Sequence, residues 1–113
     1  MRRNRPADLL RDILDFIDKA AEWASHPEAT SDEKTLYAVL HALQNIGEAV
    51  TRLPQDVTNL APEVPWQRIK AMRNLIAHDY AGIDADIVWK TVRERLPELK
   101  AAATSLLFQL PKD

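Results

Sequence analysis

The stretch TSDEKTLYAVLHALQNIGEAVTRLP, from Thr30 to Pro54, decides the fold class. Within it Leu36, Val39, Leu40, Leu43, Ile46, Val50 and Leu53 recur at steps of three and four residues, the period of one face of an α-helix and not the alternation of a strand. Thr30, with Glu33 three residues on, forms a capping box, and Pro54 stops the helix at about Leu53. Gly47 falls on the apolar face, where it costs about 1 kcal/mol relative to alanine but lets a second helix approach closely. Beside that face runs a polar stripe, Tyr37, His41, Gln44 and Glu48, which is either solvated or the lining of a cleft.

The flanking segments read the same way. Glycine is confined to Gly47 and Gly82, and the good helix formers dominate elsewhere, so no strand is predicted. A first helix runs from Pro6 to about Ser25, with Asn4 as its cap, Pro6 in the first turn and Pro27 ending it. Leu10, Ile13, Leu14, Ile17, Ala20, Ala21 and Ala24 make one stripe. Leu9, Phe16 and Trp23, seven apart, make a second, which is either the edge of a wide core or a surface that meets another subunit. PQDVTNLAPEVP, residues 54–65, is a proline-rich connector with room for one short helical turn. Pro65 starts a third helix through Tyr80, ended by Gly82 as a left-handed C-terminal residue. Asp84 caps a fourth helix over about Ala85 to Arg95, and Pro97 opens a last segment to about Gln109, either a new helix or a kinked continuation. The prediction is an all-α antiparallel bundle of four to five helices, in one domain spanning residues 1–113.

Composition narrows the function. No apolar run approaches the roughly 20 residues that span a bilayer. The start, MRRNRPADLLRDI, has no apolar signal core, which predicts a cytoplasmic protein with no membrane partner. The absence of cysteine rules out disulfides, thiolate nucleophiles and sulfur-ligated zinc. With 15 Lys+Arg against 17 Asp+Glu and a net charge of −2, no global field draws the chain to nucleic acid, so RNA contact would need a local patch. Arg2, Arg3 and Arg5, or Arg93, Arg95 and Lys100, are the clusters available; each is either such a patch or a solvated helix end.

MRNLIAHDYAGID, residues 72–84, gathers an arginine, an asparagine, a histidine and a tyrosine in a chain with three histidines. At about 100° per residue, Ile69, Met72 and Ile76 define the core side of the third helix, with Leu75 nearer its edge, and His78 lies roughly 140° away, facing solvent with Asn74. Arg73 and Tyr80 project together at the border of the core. Arg73 and His78, five apart, diverge by roughly 140°, so one regular helix does not aim both at one phosphate. Long side chains curl round, the helix distorts toward Gly82, or a second copy of the chain completes the site; the Leu9/Phe16/Trp23 stripe favours the second copy. Histidine takes and gives protons near neutrality, arginine offers a fixed fork of donors to a phosphate, and asparagine orients a hydroxyl. That inventory fits RNA cleavage without a metal or other cofactor. The ribose 2′-OH attacks the adjacent phosphorus, His78 serves as base or acid, Arg73 stabilises the phosphorane, and the products are a 2′,3′-cyclic phosphate and a 5′-hydroxyl.

The same residues carry a family resemblance. Arg73-Asn74-Leu75-Ile76-Ala77-His78 resembles the Arg-x4-His motif of the HEPN superfamily of ribonucleases, and His78-Asp79-Tyr80 extends it to the Arg-x4-His-x-Tyr form of HepT-like toxins. LRDIL (10–14), NIGEAV (45–50), VPWQRIKAMRN (64–74), GIDADIVWKTV (82–92) and LPELK (96–100) resemble that family in the same order, covering roughly residues 7 to 110. The resemblance implies a homodimeric helical bundle with its two motifs lining an interface cleft. It also implies an RNase toxin whose partner, an MNT-type nucleotidyltransferase antitoxin, neutralises it by transferring AMP to the motif tyrosine. Carried over, Arg73 and His78 are the catalytic pair, Asn74 a supporting residue and Tyr80 the adenylylation site, where bulky anionic AMP would repel an RNA phosphate. Glu48 belongs to the family's Gly-Glu pair and is expected to orient Arg73 or the partner copy's motif. His41 departs from the pattern, standing where relatives often carry arginine.

Two other readings compete. One is a non-catalytic nucleotide-binding or regulatory subunit of a nucleotidyltransferase complex, holding a nucleotide with Arg73 and Tyr80, which mild acidity favours. The other is a bare helical scaffold, which leaves the solvent-side His78 and Asn74 without a role.

Overall fold

The computed structural model describes residues 5–111, and among them every regular element is helical. Helix α1 is Pro6–Trp23, α2 Glu33–Arg52, α3 the single turn Gln55–Thr58, α4 Trp66–His78, α5 Ala85–Lys90 and α6 Leu96–Gln109. One π-helical stretch, Thr91–Arg95, joins α5 to α6, and 3-10 turns occupy Ala29–Ser31 and Tyr80–Gly82. No described helix is long and apolar enough to cross a membrane.

The all-α prediction holds, and the periodic faces pack together. Leu10, Ile13 and Ile17 of α1, Val39, Leu40, Ile46 and Val50 of α2, Ile76 of α4, Val88 of α5 and Ala103 and Leu106 of α6 share one buried cluster. Phe16 meets His41 while His26 meets Thr35, so α1 and α2 run antiparallel; Arg73 meets Glu48 while Tyr80 meets Tyr37, so α2 and α4 do too. The stripe of Leu9, Phe16 and Trp23 is the edge of this core: Leu9 is buried, and Phe16 and Trp23 pack against the cluster half-buried. It supplies no argument for a second subunit.

Several helix ends differ from the sequence reading. α1 stops at Trp23, because the Ser25 hydroxyl takes the Glu22 carbonyl at 2.7 Å and turns the chain early. Its N-cap position is Arg5, and Asn4 lies outside the described residues. The cap of α2 is Asp32, not Thr30, which sits in the 3-10 turn, and Glu33 is the first helical residue. Asp32 is the better acceptor: its carboxylate takes the Thr35 hydroxyl at 2.7 Å and the Lys34 amide at 3.2 Å. The Thr35 bond first, then that amide and nearby His26, outweigh partial desolvation and hold the Asp32 carboxyl below its ordinary pKa. Since Thr35 spends its only hydrogen on Asp32, His26 Nε2 donates to Thr35 Oγ1 at 3.0 Å, and this relay pins the α1–α2 turn.

The connector forms its one helical turn, α3, and is then clamped by Trp66, whose indole Nε1 donates to the carbonyls of Ala61 at 3.0 Å and Thr58 at 3.2 Å. That clamp sets where α4 begins and so how it lies on α2. At the other end Asp84 caps α5 through the Asp86 amide, as its position suggested. The segment around Pro97 is a continuation, not a new helix. Proline offers no N–H to the Arg93 carbonyl, and the chain widens just before it into the π turn, with the Leu96 amide reaching back to Thr91.

Candidate active site at the contact of α2 and α4

Arg73 faces α2 because Gly47 leaves room for it. A Cβ built at Gly47 would fall inside the van der Waals envelope of Arg73 Cβ and lie 2.8 Å from its Cγ. The two helices therefore touch where the arginine stem crosses the glycine. The guanidinium is then held on two sides. Nη2 donates to Glu48 Oε2 at 2.5 Å and Nη1 to Asn74 Oδ1 at 2.9 Å, while Nε is buried with no acceptor among the described residues. Glu48 is held in turn by Arg52, Nη2 to Oε1 at 3.6 Å, so one carboxylate lies between two arginines. With 32 % of the Arg73 side chain and 37 % of Glu48 exposed, the pair is within reach of solvent, and its value lies in aim more than in stability.

His78 lies elsewhere on α4. It is exposed and makes no hydrogen bond or ion pair among the described residues. The Asp79 amide still closes a regular turn on the Leu75 carbonyl at 2.9 Å, so the helix is undistorted from Arg73 to His78 and the divergence of roughly 140° stands. Distortion toward Gly82 does not relieve it. The helix breaks just after His78, where Asp79 takes φ −143° and ψ 57°.

That break corrects two expectations. Tyr80 is not on the helix but in the 3-10 turn that follows, and Gly82 does not end α4 in a left-handed conformation; no described residue has positive φ. A Cβ at Gly82 would meet the exposed Asp79 carboxylate, the free end of a side chain that can turn aside, so neither φ nor space demands glycine there. The turn carries Tyr80 back onto α2. Its ring stacks on Tyr37, centroids 5.4 Å apart and planes at 11°, and its hydroxyl donates to the Tyr37 carbonyl at 3.0 Å. Burial, with Tyr37 adding to it, raises the Tyr80 pKa above the ordinary phenol value.

The charge is segregated. α4 carries Arg68, Lys70 and Arg73 with no carboxylate, whereas α1 carries Asp8, Asp12, Asp15, Asp18 and Glu22 against Arg11 and Lys19. At about 100° per residue Lys70 and Arg73 share one side of α4 while Arg68 points away from both. Arg95 is paired with Glu98 at 3.5 Å and Lys100 with Asp18 at 2.8 Å, while Arg2 and Arg3 lie outside the described residues. A hollow of about 1120 Å³ between α2, α4 and α6 is lined by Ile46, Ile69, Met72 and Leu99 and contains neither Arg73 nor His78. Among the described residues no three His, Asp or Glu side chains are grouped to hold a metal ion.

A model of the HepT-like family, described as "Ribonuclease HepT-like", matches residues 10–106. The chain belongs to the HepT-like ribonuclease family. It is 40 % identical over 96 residues to the "Probable ribonuclease HepT" of Thermococcus cleftensis, covering 82 % of this chain and 87 % of that protein. It is also 38 % identical over 90 residues to "Putative RNase MJ0127" of Methanocaldococcus jannaschii, covering 80 % and 74 %. A third relative, "Putative RNase TTE0752" of Caldanaerobacter subterraneus, is 30 % identical over 105 residues, covering 90 % and 94 %. No solved structure is significantly similar.

In this HepT-like chain the structure brings Arg73, Asn74 and Glu48 together, sends Tyr80 to Tyr37, and leaves His78 apart. The sequence reading places Tyr37 in the polar stripe of α2 but gives Arg52 and Lys70 no part in the site. The signals were present, Arg52 four residues after Glu48 and α4 free of carboxylates, but neither acquires meaning until α2 and α4 are known to pack.

Proposed function

We propose that this HepT-like chain is an endoribonuclease that cleaves RNA without a metal ion through Arg73 and His78. The observation that carries the reading is that Arg73 is oriented from α2 by Glu48 while His78 stands free on the far side of an undistorted helix. A single copy thus offers an anion-binding half and a proton-transfer half that do not converge, and a homodimer joins Arg73 of one copy to His78 of the other. In the reaction the ribose 2′-oxygen attacks phosphorus, one histidine accepts its proton, the P–O5′ bond breaks, and the departing O5′ takes a proton. Arg73 faces the phosphorane oxygens, with Glu48 and Asn74 holding its fork in plane. The products are a 2′,3′-cyclic phosphate and a 5′-hydroxyl.

The biological setting that fits is a toxin-antitoxin module. An MNT-type nucleotidyltransferase transfers AMP from ATP to Tyr80: the phenol oxygen bonds to the α-phosphorus, the bond to pyrophosphate breaks, and the phenol proton leaves. Because Tyr80 donates to the Tyr37 carbonyl and its pKa is raised, the transferase must release the hydroxyl from α2 and supply the base. The modified tyrosine then sets a bulky nucleotide with one phosphodiester charge seven residues from Arg73. The test is to incubate the purified protein with RNA in EDTA and identify the product ends. Wild type yields cyclic phosphate ends, and His78→Ala loses roughly 10²- to 10⁴-fold in rate with its stability intact. Full activity in His78→Ala refutes the assignment.

A further inference from the structure

The polar stripe of α2 runs on from Glu48 to an aromatic pair that the cleavage chemistry does not use. Tyr37 is 38 % exposed, and Tyr80 covers one face of its ring in a near-parallel stack. The hydroxyl of Tyr80 is tied to the Tyr37 carbonyl, so the pair is held by both ring and tether. Between this pair and Arg73 lie His41, exposed, and Gln44, half-buried. From Lys34 to Arg52 the only carboxylate on α2 is Glu48, and it is paired with Arg52 and Arg73; α4 beside it has none. Although Asp79 adjoins Tyr80 in sequence, α2 between Tyr37 and Glu48 carries no carboxylate, and this track has an aromatic face at one end and an arginine fork at the other.

We propose that Tyr37, backed by Tyr80, is a stacking platform for a nucleobase of a single-stranded RNA substrate lying along α2 toward Arg73. This rests on the ribonuclease reading of Arg73 and His78. Every base has a π-face that an aromatic ring can take without reading sequence, and the anionic backbone needs a surface poor in carboxylates. Tyr37 and Glu48 are eleven residues apart, about 16 Å along the helix axis, so the stacked base lies beyond the reacting phosphate. A contact there holds ground state and transition state alike and acts on KM, not on kcat.

The experiment measures cleavage of a single-stranded oligoribonucleotide by the full chain, wild type against Tyr37→Ala and Tyr37→Trp. Tyr37→Ala is expected to raise KM by roughly 5- to 150-fold at little-changed kcat, and the tryptophan to restore it. Replacing bases one at a time by abasic sites finds one position that costs the wild type as much and costs Tyr37→Ala nothing further. An unchanged KM in Tyr37→Ala, a fall in kcat alone, or additive losses at every abasic position overturns the proposal. A wild type that cleaves no RNA is failure of the ribonuclease reading. The platform is then decided by fluorescence anisotropy of the same labelled oligonucleotide with His78→Ala, His78→Ala/Tyr37→Ala and His78→Ala/Tyr37→Trp. Weaker binding of the alanine variant with recovery in the tryptophan variant sustains the platform, and equal binding by all three refutes it.

Discussion

Gly47→Ala separates stability from aim. A methyl group at Gly47 would overlap Arg73 Cβ and sit 2.8 Å from Cγ, where ordinary contact begins at 3.4 Å. The Cβ is fixed to the backbone and has no rotamer to escape into, so α4 must withdraw from α2 by about 1 Å to restore contact. Two terms then oppose each other. Alanine favours a helix interior over glycine by about 1 kcal/mol, whereas overpacking a closed contact costs about 1–3 kcal/mol. The net loss is about 0–2 kcal/mol, with the thermal midpoint falling by about 4–8 °C for each kcal/mol. With Arg73 in the proposed catalytic role, a displacement of about 1 Å there costs on the order of 10²-fold in rate. Activity should therefore fall far more than stability, read as kcat on RNA beside a calorimetric or circular-dichroism melt. A Gly47→Ala protein with a raised melting point and wild-type turnover would show that neither the glycine nor the approach of the helices it permits serves Arg73.

Other outcomes follow from the same geometry. Glu48→Gln removes the charge that holds Arg73 while keeping an acceptor; with both side chains about a third exposed, it should cost about 1 kcal/mol or less in urea unfolding but roughly 10-fold in cleavage rate. If Arg73 of one copy works with His78 of the other, inactive Arg73→Ala and inactive His78→Ala mixed as exchanging dimers regain up to about a quarter of wild-type activity, because half the dimers carry one intact site. A mixture that stays inactive places both residues of the site in one chain. Tyr37→Ala leaves Tyr80 as the one remaining tyrosine, so ultraviolet titration reads it alone, and its midpoint should drop toward the ordinary value of about 10. Since the folded pKa of Tyr80 is raised, its stabilising contribution is complete below the unfolded value and fades as pH climbs through the folded one; Tyr37→Ala should flatten that alkaline loss.

The parts of the fold legible in the sequence were those written in local periodicity and caps. The buried face of α2, the cap at Asp84 and the single turn in the connector needed nothing from distant residues. What was illegible depended on contacts between elements. Thr30 and Asp32 are both good caps by type, and only the His26–Thr35–Asp32 relay selects the aspartate. Gly82 reads as a left-handed helix end, yet its φ is not positive and the chain has already left the helix at Asp79. Tyr80 continues the helical spacing of α4, yet Tyr37, far away in sequence, pulls it into another turn. At the site, the divergence of Arg73 from His78 was fixed by helix geometry alone, whereas the grip of Glu48 and Arg52 on the arginine side required the packing of α2 on α4.

The π turn at Thr91–Arg95 bears on how the chain tolerates change in length. In an unbroken helix Val88, Val92, Leu99 and Leu106 fall on one line and would serve one neighbour, but α5 packs on α2 and α6 on α1. A π turn holds one residue more than an α turn, and one residue is about 100° of helix, enough to redirect the second half of the line. A lineage that lost a residue within 91–95 would straighten the helix while keeping both faces, whereas a loss inside α2 would swing Glu48 away from Arg73. The π turn is thus one place inside a helix where a residue can be lost with the pairing of Glu48 and Arg73 left untouched.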